Sequence, residues 1–209
     1  DLLGPLVVTV AGTAVRLGGP RQVAVLARLL LAPGQVVSME QLAESVWDGD
    51  LPARPEVAIR SYISNLRRSI EPTRHPGDRQ SCIESIPPGY RLAVDPGAID
   101  AHRFEQLVAQ GRSALARGEA GLAASHLASA QRLWRGEPCE GLVDTDALMA
   151  YRARLAELRL VATEQWFEAR LALASVLEAV LAAVQAPVRM IAHSTFVLVA
   201  LTGLKLDWK

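Results

Sequence analysis

The sequence has little of several residue types that mark other protein classes. Its 209 residues include only two cysteines, Cys82 and Cys139, which form neither a disulfide framework nor a Cys-x-x-Cys metal motif. The 22 basic and 22 acidic side chains cancel, which disfavours a protein that coats nucleic acid non-specifically. Glycine and proline contents are ordinary, so collagen-like and disordered chains are excluded. We therefore expect a globular protein of one or two domains that works in the reducing cytoplasm.

Motifs of common enzyme families are also missing. The chain has no Gly-x-x-x-x-Gly-Lys-Ser/Thr phosphate loop, no His-Glu-x-x-His and no Gly-x-Ser-x-Gly. Its histidines, His75, His102, His126 and His193, are scattered without metal-ligand spacing. Asp100 beside His102 is the nearest approach to an acid–base pair, but a helix N-cap next to a surface histidine explains it without a catalytic role. We expect no enzymatic activity, no cofactor and no metal.

The basic residues cluster within one part of the chain. Residues 54–91 hold seven arginines against four acidic residues, whereas residues 1–53 hold three arginines against five. A local positive patch can bind phosphates although the whole chain is neutral. The sequence therefore directs the search for a nucleic-acid contact to residues 54–91.

Strand and helix signals alternate through the first hundred residues. Apolar periodicity and turn residues predict hairpins before and after three amphipathic helices. Ser38 and Gln41 have the spacing of a capping box at the start of the second helix. This order is typical of a winged helix with an N-terminal sheet. The predicted elements are strands 6–10 and 14–17, a helix from Pro20, an extended link at 36–37, helix 38–47, helix Pro55–Ile70, a polar loop at 73–81, and strands 82–86 and 90–94.

The third helix carries the most functional information. At about 100° per residue its apolar side chains form one stripe and polar side chains form the opposite face. Hydroxyl, amide and guanidinium groups suit contacts with base edges and phosphates, although an ordinary amphipathic surface helix has the same pattern. The stripe consists of Ile59, Ile63, Leu66 and Ile70; Val57, Ser61, Ser64, Asn65 and Arg68 lie opposite, with Arg60 and Arg67 between the two.

A second, helical domain follows. Two helices are predicted at 100–116 and 119–134. Residues 103–136 span 34 residues of helix–turn–helix, a length that suits a tetratricopeptide-like unit. Residues 148–173 supply a covering helix. The charge-free run 190–204 is shorter than the roughly 20 residues that a membrane span needs, so we expect it to cover the core. Within that run, residues 196–201 have strand-like propensity.

Eight short motifs, in order, resemble those of the Streptomyces antibiotic regulatory protein family. The first six belong to its DNA-binding domain, and the last two resemble the start of its bacterial transcriptional activation domain. These motifs are LGPL at 3–6, GGPRQ at 18–22, VVS at 36–38, LAESVW at 42–47, YISNLRR at 62–68, PPGYRL at 87–92, IDAHRFE at 99–105 and LWRG at 133–136.

The resemblance implies an α+β fold in its first part and an all-α fold in its second. An OmpR-type winged helix would occupy residues 1–96 and a tetratricopeptide-like activation domain residues 97–174, while the apolar tail 175–209 departs from the family pattern. Trp47 and Tyr62 suit core positions equally well. The positions that the resemblance assigns to DNA contact are Trp47, Arg60, Tyr62, Ser64, Asn65, Arg67, Arg68 and Arg91.

By the same resemblance, the chain is expected to act as a transcriptional activator. It would bind direct repeats in promoter DNA as a homodimer and recruit RNA polymerase, without contacting a membrane. Because of the altered tail, two alternatives stay open. One is a truncated paralogue that binds DNA without activating, and the other is a helical-repeat module that binds proteins.

Overall fold

The computed structural model describes residues 1–47, 49–72 and 81–202, and the side chains within them except for those of 187–189 and 191–202. Asp48, most of the predicted polar loop and residues 203–209 lie outside the described residues. The described chain has an α+β unit followed by a helical unit, as predicted. Each unit has its own cluster of buried apolar side chains.

The chain opens with a small hairpin. Strands β1 (Thr9–Val10) and β2 (Thr13–Ala14) pair antiparallel around a two-residue turn. Both turn residues have positive φ, 49° at Ala11 and 81° at Gly12, which is the backbone that tight hairpins favour. The hairpin was predicted at this place, but its paired strands are shorter than the apolar pattern indicated.

Three helices follow and enclose the first core. They are α1 (Pro20–Leu30), α2 (Met39–Trp47) and α3 (Pro55–Ile70). The predicted capping box is present, because the Ser38 amide donates to Gln41 Oε1 at 3.0 Å and the Gln41 amide donates to Ser38 Oγ at 3.1 Å. The predicted stripe of α3 faces inward, with Ile59, Ile63 and Leu66 buried.

A three-stranded antiparallel sheet completes the winged helix. Its order is β3 (Val36–Ser38), β5 (Gly89–Leu92), β4 (Ile83–Ile86). The predicted extended link at 36–37 is thus the third strand of the wing sheet. Gly89 is required where β5 meets β3, since a Cβ there would lie 1.9 Å from the Val37 carbonyl oxygen.

The helical unit consists of α4 (Asp100–Ala116), α5 (Ala120–Gln131) and the long α6 (Asp146–Thr202). Helices α4 and α5 form the predicted hairpin, and Gly118 turns between them with φ of 75°. The covering helix was expected to end at residue 173, with a strand-like segment at 196–201. Instead α6 continues to Thr202; the alanine- and leucine-rich residues 171–186 favour helix and carry it past residue 173.

The first residues of the chain pack with the helical unit. Leu2 and Leu3 are fully buried in its core. The Leu3 amide donates to Asp100 Oδ2 at 3.0 Å, and the Leu2 amide donates to the other oxygen of the same carboxylate. Residues 2–5, within the range expected for the winged helix, therefore act as a strap that joins the two units. Asp100, expected as a helix N-cap, is instead the first residue of α4, whose N-cap is Ile99, and its carboxylate holds this strap.

Residues 170–186 of α6 belong to none of the clusters of buried side chains. Every side chain over residues 170–186 is exposed, although most of them are apolar. Among the described residues, no helix is both long enough and apolar enough to cross a membrane. The core covering expected of run 190–204 falls on side chains outside the described ones, apart from that of Met190, which is exposed. The large exposed side chains are Leu171, Leu173, Val176, Leu177, Val180, Leu181 and Val184.

Candidate DNA-binding surface

The outer face of α3 is a polar surface with two exposed arginines. Arg60, Ser64 and Arg68 are exposed, and Asn65 is half-buried between them and the core stripe. Arg68 Nη1 donates to Asn65 Oδ1 at 3.4 Å, so the amide and the guanidinium lie side by side. The amphipathic pattern of α3 produces this arrangement, because burying the isoleucine stripe turns these side chains outward. Four predicted site residues therefore share one surface.

Arg67 lies on the side of α3 that meets the wing, which is the hairpin of β4 and β5. Its Nε and Nη2 donate to the Ile83 carbonyl oxygen at 2.9 and 2.6 Å, and Nη2 also donates to Ser85 Oγ at 3.0 Å. The guanidinium carbon lies 5.8 Å from the centroid of the Tyr90 ring. These contacts occupy the group that was expected to bind phosphate. Arg67 thus joins α3 to the wing, and the helical period alone could not reveal its partners.

Glu71 makes a second connection between α3 and the wing. Its carboxylate accepts hydrogen bonds from the Cys82 amide and from Ser81 Oγ, the latter at 3.0 Å. Burial, together with the hydrogen bond and the charge of Glu71, raises the pKa of the Cys82 thiol to about 12. The thiol therefore stays protonated at neutral pH and is a poor nucleophile or metal ligand.

Arg91 lies on the wing and is paired with Glu84. The two residues are register partners on β5 and β4, and both Nε, at 2.9 Å, and Nη2 of Arg91 donate to Glu84 Oε2. Their side chains are 40% and 33% exposed, so the pair lies at the surface. Glu84 was missed in the sequence, although its position opposite Arg91 across the 87–88 turn gave a usable signal.

Trp47 and Tyr62 lie at the edge of the first core. Both are half-buried, and their ring centroids are 6.4 Å apart. The guanidinium of Arg21, which the sequence reasoning did not select, lies 6.0 Å from the Trp47 ring. Both rings pack against the first core and stay partly exposed, so core packing and DNA contact both remain predictions for them.

The polar groups exposed on α3 are of kinds that bind nucleic acids. Within residues 1–47, 49–72 and 81–202, no three histidine, cysteine or acidic side chains cluster where a metal ion could be held. The exposed groups of α3 are guanidinium, hydroxyl and amide. Such groups bind phosphates and base edges.

Comparison with known proteins identifies both units. Residues 12–92 match the family model described as transcriptional regulatory protein, C terminal. Residues 99–191 match the bacterial transcriptional activator domain, so this match continues past residue 174, where the resemblance seen in the sequence ended. The order of the two matches is the order of the two folded units.

Named relatives are regulatory proteins. The chain is 35% identical over 173 residues to the transcriptional regulatory protein MoaR1 of Mycobacterium tuberculosis, covering 82% of this chain and 55% of that protein. It is 36% identical over 181 residues to the regulatory protein DnrI of Streptomyces peucetius, covering 83% and 65%. The chain thus spans about half to two thirds of the length of these two relatives.

A solved structure shares the fold. Mycobacterium tuberculosis EmbR, in complex with a low affinity phosphopeptide, matches with a TM-score of 0.74 and 32% sequence identity, over 88% of this chain and 48% of that one. The winged-helix and activator-domain matches, the regulatory relatives and this structure agree with one another. The chain belongs to the Streptomyces antibiotic regulatory protein family, which joins an OmpR-type winged helix to a bacterial transcriptional activation domain.

Proposed function

We propose that this chain is a transcriptional regulator that binds promoter DNA through α3 and the wing. The observation that carries the proposal is the outer face of α3, where Arg60, Ser64 and Arg68 are exposed on a helix whose other face is buried. In winged helices and other helix-turn-helix proteins, a helix of this kind enters the major groove. The names of the relatives, which are regulatory proteins, support the same function.

The side chains of this face divide into two roles. Arg60 and Arg68 would neutralise phosphates or pair with guanine, and Ser64 and Asn65 would contact base edges. The Asn65 amide suits an adenine edge, which offers one donor and one acceptor. To reach the DNA edge, Asn65 Oδ1 has to exchange its contact with Arg68 for one with the base.

Most of the remaining predicted residues would support the DNA-binding elements rather than contact bases. Arg67 would hold the wing against α3, and Trp47 and Tyr62 would support the helices from the edge of the core. Arg91 would contact the backbone beside α3 after sharing or releasing Glu84. This division assigns direct DNA contact to fewer residues than the sequence suggested.

The helical unit would provide the protein contacts. We propose that it contacts RNA polymerase and a second copy of the chain, bound at direct repeats in cytoplasmic promoter DNA. This part of the proposal has its support in family membership. No catalytic role is assigned to either unit.

A salt titration tests the DNA contact. Fluorescence anisotropy of the chain on promoter duplexes should show selective binding that weakens as salt rises, because phosphate contacts release counterions. Arg68→Ala should lower affinity and reduce the slope of log affinity against log salt by about one unit. Arg112→Ala is the matched control, since Arg112 is an exposed arginine of α4 far from α3 along the chain. An unchanged slope in folded Arg68→Ala protein would remove Arg68 from the interface.

A supershift assay tests activation separately. An activator should form a ternary complex of chain, promoter and polymerase. A truncated paralogue would bind the promoter and leave polymerase recruitment unchanged. Binding of polymerase without selective DNA binding would instead favour the helical interaction module.

A further inference from the structure

A cavity of about 310 Å³ lies between the winged-helix unit and the helical unit. Helix α1 forms one wall, with Val23, Ala24 and Leu31 in the lining, and Leu142 and Leu148 line the other side. This volume is at the small end of the range of about 300–1,000 Å³ that ligand sites occupy. The position between two units is also where small-molecule sites are commonly found.

One wall of this apolar cavity carries a guanidinium. Arg28, in the last turn of α1, lines the cavity and is half-buried. In the described part of the chain it makes neither a hydrogen bond nor an ion pair; Glu44 acts on it only through longer-range attraction. Burial lowers the pKa of Arg28, although an arginine stays charged at neutral pH. A half-buried charge with unfilled donors favours an anionic ligand.

The polar groups around Arg28 are compatible with an anion. Thr145 Oγ1 accepts a hydrogen bond from the Leu148 amide at 3.3 Å and retains its own O–H to donate. Arg21 also lines the cavity and is exposed, adding a second positive charge to the lining. Val143, 76% exposed, lines the same opening. Among the residues that the structure describes, none of those lining this cavity carries a carboxylate.

We propose that this cavity binds a small amphipathic carboxylic acid, its apolar body between α1 and residues 141–148 and its carboxylate on Arg28. A wholly apolar ligand would leave the guanidinium unpaired, and a wholly polar ligand would gain nothing from the apolar walls. A carboxylate matches the fork of arginine donors and accepts two hydrogen bonds at once. The site is independent of the surface on α3.

Isothermal titration of the full chain with decanoate, below its micelle concentration, tests this site. We expect saturable one-to-one binding. Arg28→Gln should weaken decanoate binding at least about tenfold, because the charged hydrogen bonds are lost. It should change the binding of decanol, which has no carboxylate, by less than about threefold. Arg112→Gln, an exposed arginine elsewhere, should leave both affinities unchanged.

A second pair of variants locates the ligand. Ala24→Phe fills the cavity from α1 and should abolish binding of both compounds, with circular dichroism reporting the fold. Leu177→Glu changes the exposed apolar face of α6 and should have no effect.

Three outcomes would overturn the assignment. The first is an absence of saturable decanoate binding by the folded chain. The second is binding that survives Ala24→Phe or is lost in Leu177→Glu, which would put the ligand on another surface. The third is full decanoate affinity in Arg28→Gln, which would show that the carboxylate does not lie on Arg28.

Discussion

The two sides of α3 use arginine in opposite ways. On the outer face, Arg60 and Arg68 are exposed, and within residues 1–47, 49–72 and 81–202 the only hydrogen bond of the Arg68 guanidinium goes to Asn65. On the wing side, the donors of Arg67 are taken up by Ile83 and Ser85. The adjacent residues Arg67 and Arg68 therefore have the same charge but different tasks. Whether the donors of an arginine are already satisfied decides whether it can bind a ligand.

Disrupting the contact between β5 and β3 should cost the most stability. Gly89→Ala should destabilise the chain by about 3 kcal/mol, because the new Cβ would lie 1.9 Å from the Val37 carbonyl oxygen and the strands must separate. Urea unfolding measures the loss. Gly19→Ala is the control, since nothing lies within 4 Å of a Cβ there; because Gly19 is the N-cap of α1, where alanine is less favourable than glycine, its cost should be about 1 kcal/mol or less. Equal stabilities for the two variants would contradict the close approach of β3 and β5.

A smaller effect separates the two arginines directly. Arg67→Met should cost about 1–3 kcal/mol of unfolding free energy, because the Ile83 carbonyl loses its charged donor. Arg68→Met should change stability by less than about 0.5 kcal/mol, as expected for an exposed side chain. Thermal unfolding followed by circular dichroism measures both. If the two variants were equally stable, Arg67 would not hold the wing.

The smallest effect concerns the Arg91 pair. Glu84→Gln should alter stability by less than about 1 kcal/mol, because a pair at this exposure is largely screened by solvent. The same change should raise DNA affinity about two- to fivefold, since it frees Arg91 and removes a negative charge near phosphates. Anisotropy at low salt would detect the gain. A loss of affinity would mean that Glu84 positions Arg91 for binding.

Local patterns in the sequence predicted most of the first unit. The buried stripe of α3, the capping box at Ser38 and the hairpin around residues 87–88 depend on neighbours within a few residues, so periodicity and turn chemistry are sufficient. The outer face of α3 follows from the same stripe.

Features built from distant contacts were not predicted. The pairing of β3 with β5 joins residues more than fifty positions apart, and the hydrogen bonds of Arg67 depend on where the wing folds back. The strap at Leu2 and Leu3 likewise depends on Asp100, almost a hundred residues away. The prediction of a strand-like segment near the end of α6 was wrong for another reason. A short apolar run with β-branched residues is compatible with both strand and helix, and its local sequence does not distinguish the two.

The strap makes the stability of each unit depend on the other. Cutting at the predicted boundary after residue 96 would take Leu2 and Leu3 away from the helical core and leave the Asp100 carboxylate with only Arg135 and the Ala101 amide among its present partners. Each lost leucine leaves a hole worth about 2–5 kcal/mol. The two units are therefore not exchangeable modules, and heating should melt them together in a single calorimetric transition.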